Sequence, residues 1–136
     1  MKAELKQVQG STFVAKADSN HWVTMDEPAN SGGSGAGAGP MELVLMGLAG
    51  CTAMDVESIL KKKRAGMTKL EIEVTAERAN EPPKVFTKIH IAYSVHGNVR
   101  RPDVEHAVSL SQEKYCSVAA MLRHSAEISY EINIVE

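Results

Sequence analysis

Two cysteines, Cys51 and Cys116, are the side chains in this sequence best suited to chemistry. A thiolate is a strong nucleophile, and two thiols that can meet form a dithiol–disulfide couple. Cys51 lies in Leu48-Ala49-Gly50-Cys51-Thr52-Ala53-Met54, with small residues on both sides. If this stretch is helical, the neighbours of Cys51 at three and four positions are Gly47, Leu48, Met54 and Asp55. Gly47 and Gly50 each cost a helix about 1 kcal/mol against alanine, which is tolerated where something must approach closely. The alternative for Cys51 is a buried thiol packed as a small hydrophobe. It falls some three turns inside the helix, too far for the helix dipole to stabilise a thiolate. Cys116 lies in Glu113-Lys114-Tyr115-Cys116-Ser117-Val118, at a break between two helical segments. It precedes a helix N-terminus, where the dipole favours a thiolate, and a helix junction can move. Its alternative is a packed thiol at that junction.

Other candidate features are weaker. Ser31 to Gly39 reads SGGSGAGAG, a low-complexity stretch expected to be a mobile surface loop or pocket rim. Glycines ahead of a helix can cradle an anion, but no Lys-Ser/Thr follows, so this is not a P-loop. Lys61-Lys62-Lys63-Arg64 places cations at the negative end of a helix. His90, His96, His106 and His124 show no metal-ligand spacing with the cysteines.

The elements that must position the thiols follow from periodicity. Residues 2–9, 12–17 and 21–25 read as a three-stranded antiparallel meander, with Gly10-Ser11 and Asp18-Ser19-Asn20 as turns. Pro40 suits the first turn of a helix running to about 64, with Gly66 as its stop. Its first half is apolar on nearly every side, so it is expected to be a central buried helix. Leu70, Ile72 and Val74 alternate with polar residues as a half-buried strand, and a longer strand runs from Phe86 to Gly97. The two pair as a hairpin. A helix from Pro102 to about Tyr115, a short helix over 117–124 capped by Ser117, and a final strand over 128–135 complete the chain. The order is βββ-α-ββ-αα-β, an α+β fold with antiparallel sheets around the central helix, in one domain spanning 1–136. One subunit offers a helix this apolar too little cover, which predicts a dimer.

Composition narrows the function classes. The chain has 136 residues, 43% hydrophobic and 24% charged, which suits one soluble core. A net charge of -2 and 4% aromatics exclude a basic, aromatic-interleaved nucleic-acid face. The N-terminus lacks an apolar signal-peptide core, and the apolar stretch from Leu43 to Met54 falls short of a bilayer span. The expectation is a cytoplasmic protein without a membrane partner, in which a structural disulfide would be out of place.

Pro40-Met41-Glu42-Leu43-Val44-Leu45-Met46-Gly47-Leu48-Ala49-Gly50-Cys51 resembles the central helix of the OsmC/Ohr family, the osmotically inducible and organic hydroperoxide resistance proteins. Glu113-Lys114-Tyr115-Cys116-Ser117-Val118 resembles its second cysteine motif, and the element order matches over nearly the whole chain. The resemblance implies an intertwined α+β homodimer with the central helices buried. It also implies reduction of organic hydroperoxides. Cys51 would attack the O–O bond and become a sulfenic acid, and Cys116 would condense with it to a disulfide. An external dithiol, often a lipoyl protein, would reset the pair, with no metal or organic cofactor.

Two departures from the family pattern matter. Active members carry an arginine in the N-terminal half that stabilises the thiolate, and a glutamate that orients it. Here the first arginine is Arg64, roughly 20 Å from Cys51 along one helix. Lys2, Lys6 and Lys16 are the only lysines or arginines before the Lys61–Arg64 run, and lysine lacks the planar fork. His21 is a candidate substitute. The family glutamate commonly follows the proline directly, where this chain has Met41. Glu42, the nearest carboxylate, either takes that orienting role or caps its own helix. The departures imply a divergent OsmC-like branch. The main functional expectation is a Cys51/Cys116 hydroperoxide reductase. The alternatives are a redox-sensing or small apolar ligand-binding module on the same fold, and a structural protein with inert cysteines.

Overall fold

A computed structural model describes residues Met1–Glu136. The chain forms two compact units, Met1–Met46 and Gly47–Glu136.

In the first unit, β1 (Glu4–Gln9), β2 (Thr12–Lys16) and β3 (Val23–Met25) form the expected antiparallel meander in the order β1-β2-β3. His21 falls just before β3 and is exposed. The glycine-rich stretch, expected to be a mobile surface loop or pocket rim, has a defined path. It wraps around Asp26, which is only 3% exposed. The Asp26 carboxylate accepts from the hydroxyls of Ser11 and Thr12 and from the backbone N–H groups of Glu27, Ser34 and Ala36. The two hydroxyls above all hold its carboxyl well below the usual carboxylate range. The glycines permit the approach. A Cβ on Gly33 would stand 2.1 Å from the Glu27 carbonyl oxygen, and one on Gly37 would stand 2.4 Å from that of Thr24.

Helix α1 (Pro40–Lys62) starts where proline predicts. Gly39 caps it: its carbonyl accepts from the Leu43 N–H, and its own N–H donates to Glu42 Oε1 at 2.8 Å. Glu42 thus reaches back to the cap from the third helical position, half of a capping box. At 23 residues α1 exceeds the Leu43–Met54 stretch, and by length and composition it could cross a membrane, a test that the core helix of a soluble protein also passes. Leu48, Thr52, Val56 and Leu60, spaced by four, form its stripe buried within the chain. Met46 and Met54 on the same helix stay exposed, so a single chain does not bury α1 on every side.

In the second unit, β4 (Met67–Arg78), β5 (Phe86–Gly97) and β6 (Glu127–Val135) form a sheet in the order β4-β5-β6. β4 and β5 pair antiparallel over nearly their whole length, which carries β4 beyond the Leu70–Thr75 alternation. On β5, Ile89, Ile91, Tyr93 and Val95 are buried and alternate with more exposed neighbours. β6 pairs parallel to β5, a departure from the expected antiparallel sheets. A parallel neighbour needs a crossover. α2 (Arg101–Leu110), a π turn (Ser111–Tyr115) and α3 (Ser117–Leu122) supply it. α2 stops five residues short of the expected Tyr115 because the Cys116 N–H reaches back five residues, to the Ser111 carbonyl at 2.7 Å. Val104, Ala107 and Val108 bury the inner side of α2.

Candidate active site around two thiols

The second unit brings Cys51 and Cys116 together. Their Sγ atoms and a carboxylate oxygen of Asp55 all lie within 4.8 Å of one another. Cys51 and Asp55 share one face of α1 because they are four residues apart. Cys116 arrives from the π turn, in extended conformation (φ -74°, ψ 100°), as the cap of α3. Both cysteines are free thiols; Cys51 is half-buried and Cys116 only 2% exposed.

The local field opposes the dipole expectation for Cys116. The Ala119 N–H does donate to its sulfur at 3.4 Å, as a cap should. Burial outweighs that contact, and Cys51 and Asp55 add to the effect, so the Cys116 thiol is pushed up to about 11. A buried sulfur beside a second sulfur and a carboxylate is a poor place for a negative charge.

Beneath the thiols runs a buried polar network that nothing in the sequence pattern announced. Thr52 Oγ1 lies 2.6 Å from the Tyr93 hydroxyl and 2.7 Å from the Ser111 hydroxyl. Ser111 donates to Asp55 Oδ2 at 2.9 Å, and the Gln112 amide donates to Tyr93 at 2.9 Å and to Thr52 at 3.3 Å. Each hydroxyl has a single proton. With Asp55 as the terminal acceptor the direction is forced: Gln112 to Tyr93, Tyr93 to Thr52, Thr52 to Ser111, Ser111 to Asp55. Burial keeps Tyr93 protonated by raising its hydroxyl further, as a donor in this chain requires. Ser111 is the joint. Its side chain bonds α1 at Thr52 and Asp55, and its carbonyl holds the Cys116 N–H. The network therefore sets the position of Cys116 against the helix that carries Cys51.

The remaining candidates lie elsewhere. Glu42 is engaged with the Gly39 N–H and is not in the cluster with Cys51 and Cys116; of its two readings, helix capping is the one with a contact. The early lysines have local partners: Lys6 and Lys16 sit over the Trp22 ring at 5.8 and 4.8 Å, and Lys2 pairs with Glu4. Arg123 donates to the Gln112 carbonyl at 2.6 Å, so it braces the π turn through the backbone. The sequence pattern gives Asp55 only as a helix neighbour of Cys51, without a chemical role. Its signal was available, since it is the carboxylate four residues after Cys51.

Comparison with known proteins identifies the family and the fold. Residues 32–131 match the family model for OsmC-like protein. Protein YhfA of Escherichia coli K12 is 42% identical over 99% of this chain and 98% of its own. A crystal structure of a hypothetical protein from Aquifex aeolicus VF5 superposes with a TM-score of 0.85 at 36% identity, covering 99% of this chain and 97% of that one. A more distant structure, an organic hydroperoxide resistance protein OsmC from Legionella pneumophila, has a TM-score of 0.70 at 16% identity over 98% and 97% of the two chains, a likeness of fold alone.

Proposed function

Because this chain belongs to the OsmC-like protein family, we propose that it is a thiol-dependent reductase of organic hydroperoxides, cycling through a Cys51–Cys116 disulfide. The observation that carries this reading is the approach of the two sulfurs to within 4.8 Å, with Cys51 the more accessible. The hydroperoxide resistance named for the Legionella protein is a property of that protein; the sulfur pair is what supports it here.

The chemistry divides into three steps. The Cys51 thiolate attacks the terminal peroxide oxygen and the O–O bond breaks. The alkoxide leaves and takes a proton from solvent to become the alcohol, and Cys51 becomes a sulfenic acid. Cys116 sulfur then attacks Cys51 sulfur. The S–OH bond breaks, and the Cys116 proton leaves with the hydroxyl as water. Asp55 stands beside both sulfurs, so it takes the proton from Cys116 and delivers it to the departing hydroxyl. The high Cys116 pKa makes such a base valuable. Finally an external dithiol of the lipoyl kind exchanges with the disulfide, becoming oxidised as the cysteines return to thiols. Cys116 then needs little travel: sulfurs less than 4.8 Å apart must close to about 2.05 Å.

A cytoplasmic homodimer completes the reading. A second copy of the chain would cover Met46 and Met54 on α1, which one subunit leaves exposed. Glu42 serves the start of α1 rather than an arginine.

One observation favours a second reading, a redox sensor with little turnover. The groups acting on Cys116 are burial, the Ala119 N–H, Cys51 and Asp55, and none of these is a cation. One assay separates the readings. Purified protein is given cumene hydroperoxide and dihydrolipoamide, and peroxide loss is followed. A reductase consumes it far faster than free dithiol does, and Cys51→Ser removes the gain. Equal slow rates for both proteins end the reductase reading. A mass lower by two hydrogens after peroxide, without turnover, identifies the sensor.

A further inference from the structure

The geometry points to a redox-gated binding site for a soft divalent cation of the zinc class, formed by Cys51, Cys116 and Asp55 in the reduced protein. It depends on two reduced thiols and not on peroxide turnover.

The donor set comes first. Two sulfurs and one carboxylate oxygen converge within 4.8 Å. A tetrahedral zinc ion takes sulfur at about 2.3 Å and carboxylate oxygen at about 2.0–2.2 Å, which places its ligand atoms roughly 3.5–4 Å apart. The three donors therefore need close by only about an ångström. Two of them come from one helix face, four residues apart, and the third from a turn pinned to that helix through Ser111. Soft sulfur donors select zinc-like ions over magnesium and calcium, which require oxygen.

A dication among the three donors would be the largest charge in the site. Binding then releases the thiol protons to solvent. Asp55 also carries the hydrogen-bonded support that metal-ligating carboxylates have. Ser111 donates to it at 2.9 Å, and the Thr52–Tyr93–Gln112 chain stands behind Ser111. With Cys51 and Asp55 half-buried rather than enclosed, an entry side remains.

Oxidation closes the site. A Cys51–Cys116 disulfide has no thiolate to offer, so two of three ligands disappear together. Conversely, an ion held by both sulfurs occupies the atoms that attack peroxide. Metal and hydroperoxide therefore compete for the same pair.

The test uses full-length reduced protein with Co²⁺ as spectroscopic probe, followed by Zn²⁺ displacement against a chromophoric chelator. One equivalent per chain is expected, with a thiolate-to-cobalt charge-transfer band that zinc abolishes. Asp55→Asn is expected to weaken zinc binding about tenfold or more while the band survives, and Ser111→Ala about tenfold. Wild-type protein oxidised to the disulfide is expected to bind neither metal, a control that involves no substitution and no folding risk. Absence of the band in reduced protein overturns the site. So does equal affinity in reduced and oxidised protein, or an Asp55→Asn protein that binds zinc as tightly as wild type. A chain that binds zinc but never turns over peroxide would refute the proposed activity alone; one that turns over peroxide without binding zinc would refute this inference alone.

Discussion

Asp26 and Asp55 are both shielded carboxylates, and their surroundings differ in how many donors they supply. Asp26 receives two hydroxyls and three backbone N–H groups. That exceeds the roughly four lone-pair sites a carboxylate offers, so nothing is left over. Asp55 receives the Ser111 hydroxyl, and its other near neighbours in the cluster are two sulfurs. The first carboxylate organises backbone. The second keeps lone pairs for a proton or an ion. Charge of one kind, in two settings, thus separates a structural residue from a chemical one.

The largest effect expected on this contrast is at the sulfur that Asp55 serves. Cys51→Ser should lower hydroperoxide consumption by about a thousandfold, to the background of free dithiol, in the peroxide assay. Asp55→Asn should leave the first oxidation intact but slow disulfide closure by roughly 10- to 100-fold, read by quenching after one equivalent of peroxide and weighing the protein. An unchanged closure rate would remove the chemical role from Asp55 and break the comparison. Thr52→Val should destabilise by about 1–3 kcal/mol in denaturant unfolding, because it leaves the buried Tyr93 proton without an acceptor and takes away the donor to the Ser111 oxygen. Tyr93→Phe should cost less, about 1 kcal/mol, since Gln112 and Thr52 can still pair with each other.

The smallest effect, and the sharpest test of Asp26, is in acid. Its folded pKa is depressed, so its contribution to stability is complete above the ordinary carboxylate pKa of about 4 and is lost as pH falls below that value. Melting temperature of the wild type should therefore fall more steeply between about pH 5 and pH 3 than that of Asp26→Asn, which should start a few degrees lower near neutrality. Parallel curves would show that Asp26 does not act as an anion.

What the sequence disclosed depended on how local the cause was. The alternation along Phe86–Gly97 and Glu127–Val135 follows from one buried face, and both strands appear where it predicts. Gly39-Pro40 and Glu42 are neighbours, so the start of α1 was readable, and so was the capping alternative for Glu42. The pairing of β6 was less so: strand direction depends on the path of the helices before it. The meeting of Cys51 with Cys116 came only through family resemblance, since 64 intervening residues carry no spacing rule. Thr52, Tyr93, Ser111 and Gln112 look unremarkable singly and acquire meaning only when four elements converge. For Cys116 the local rule pointed the wrong way. The helix cap is real, yet burial beside two acidic neighbours decides the proton.

The glycine tract around Asp26 has a practical consequence for anyone modifying this protein. A stretch so rich in one small residue invites use as a site for labels, spliced tags or saturation libraries. Its backbone is locked against neighbouring carbonyl oxygens, so even a methyl group at Gly33 or Gly37 has nowhere to go. The exposed Asn80–Lys84 connection between β4 and β5 is the place for such cargo.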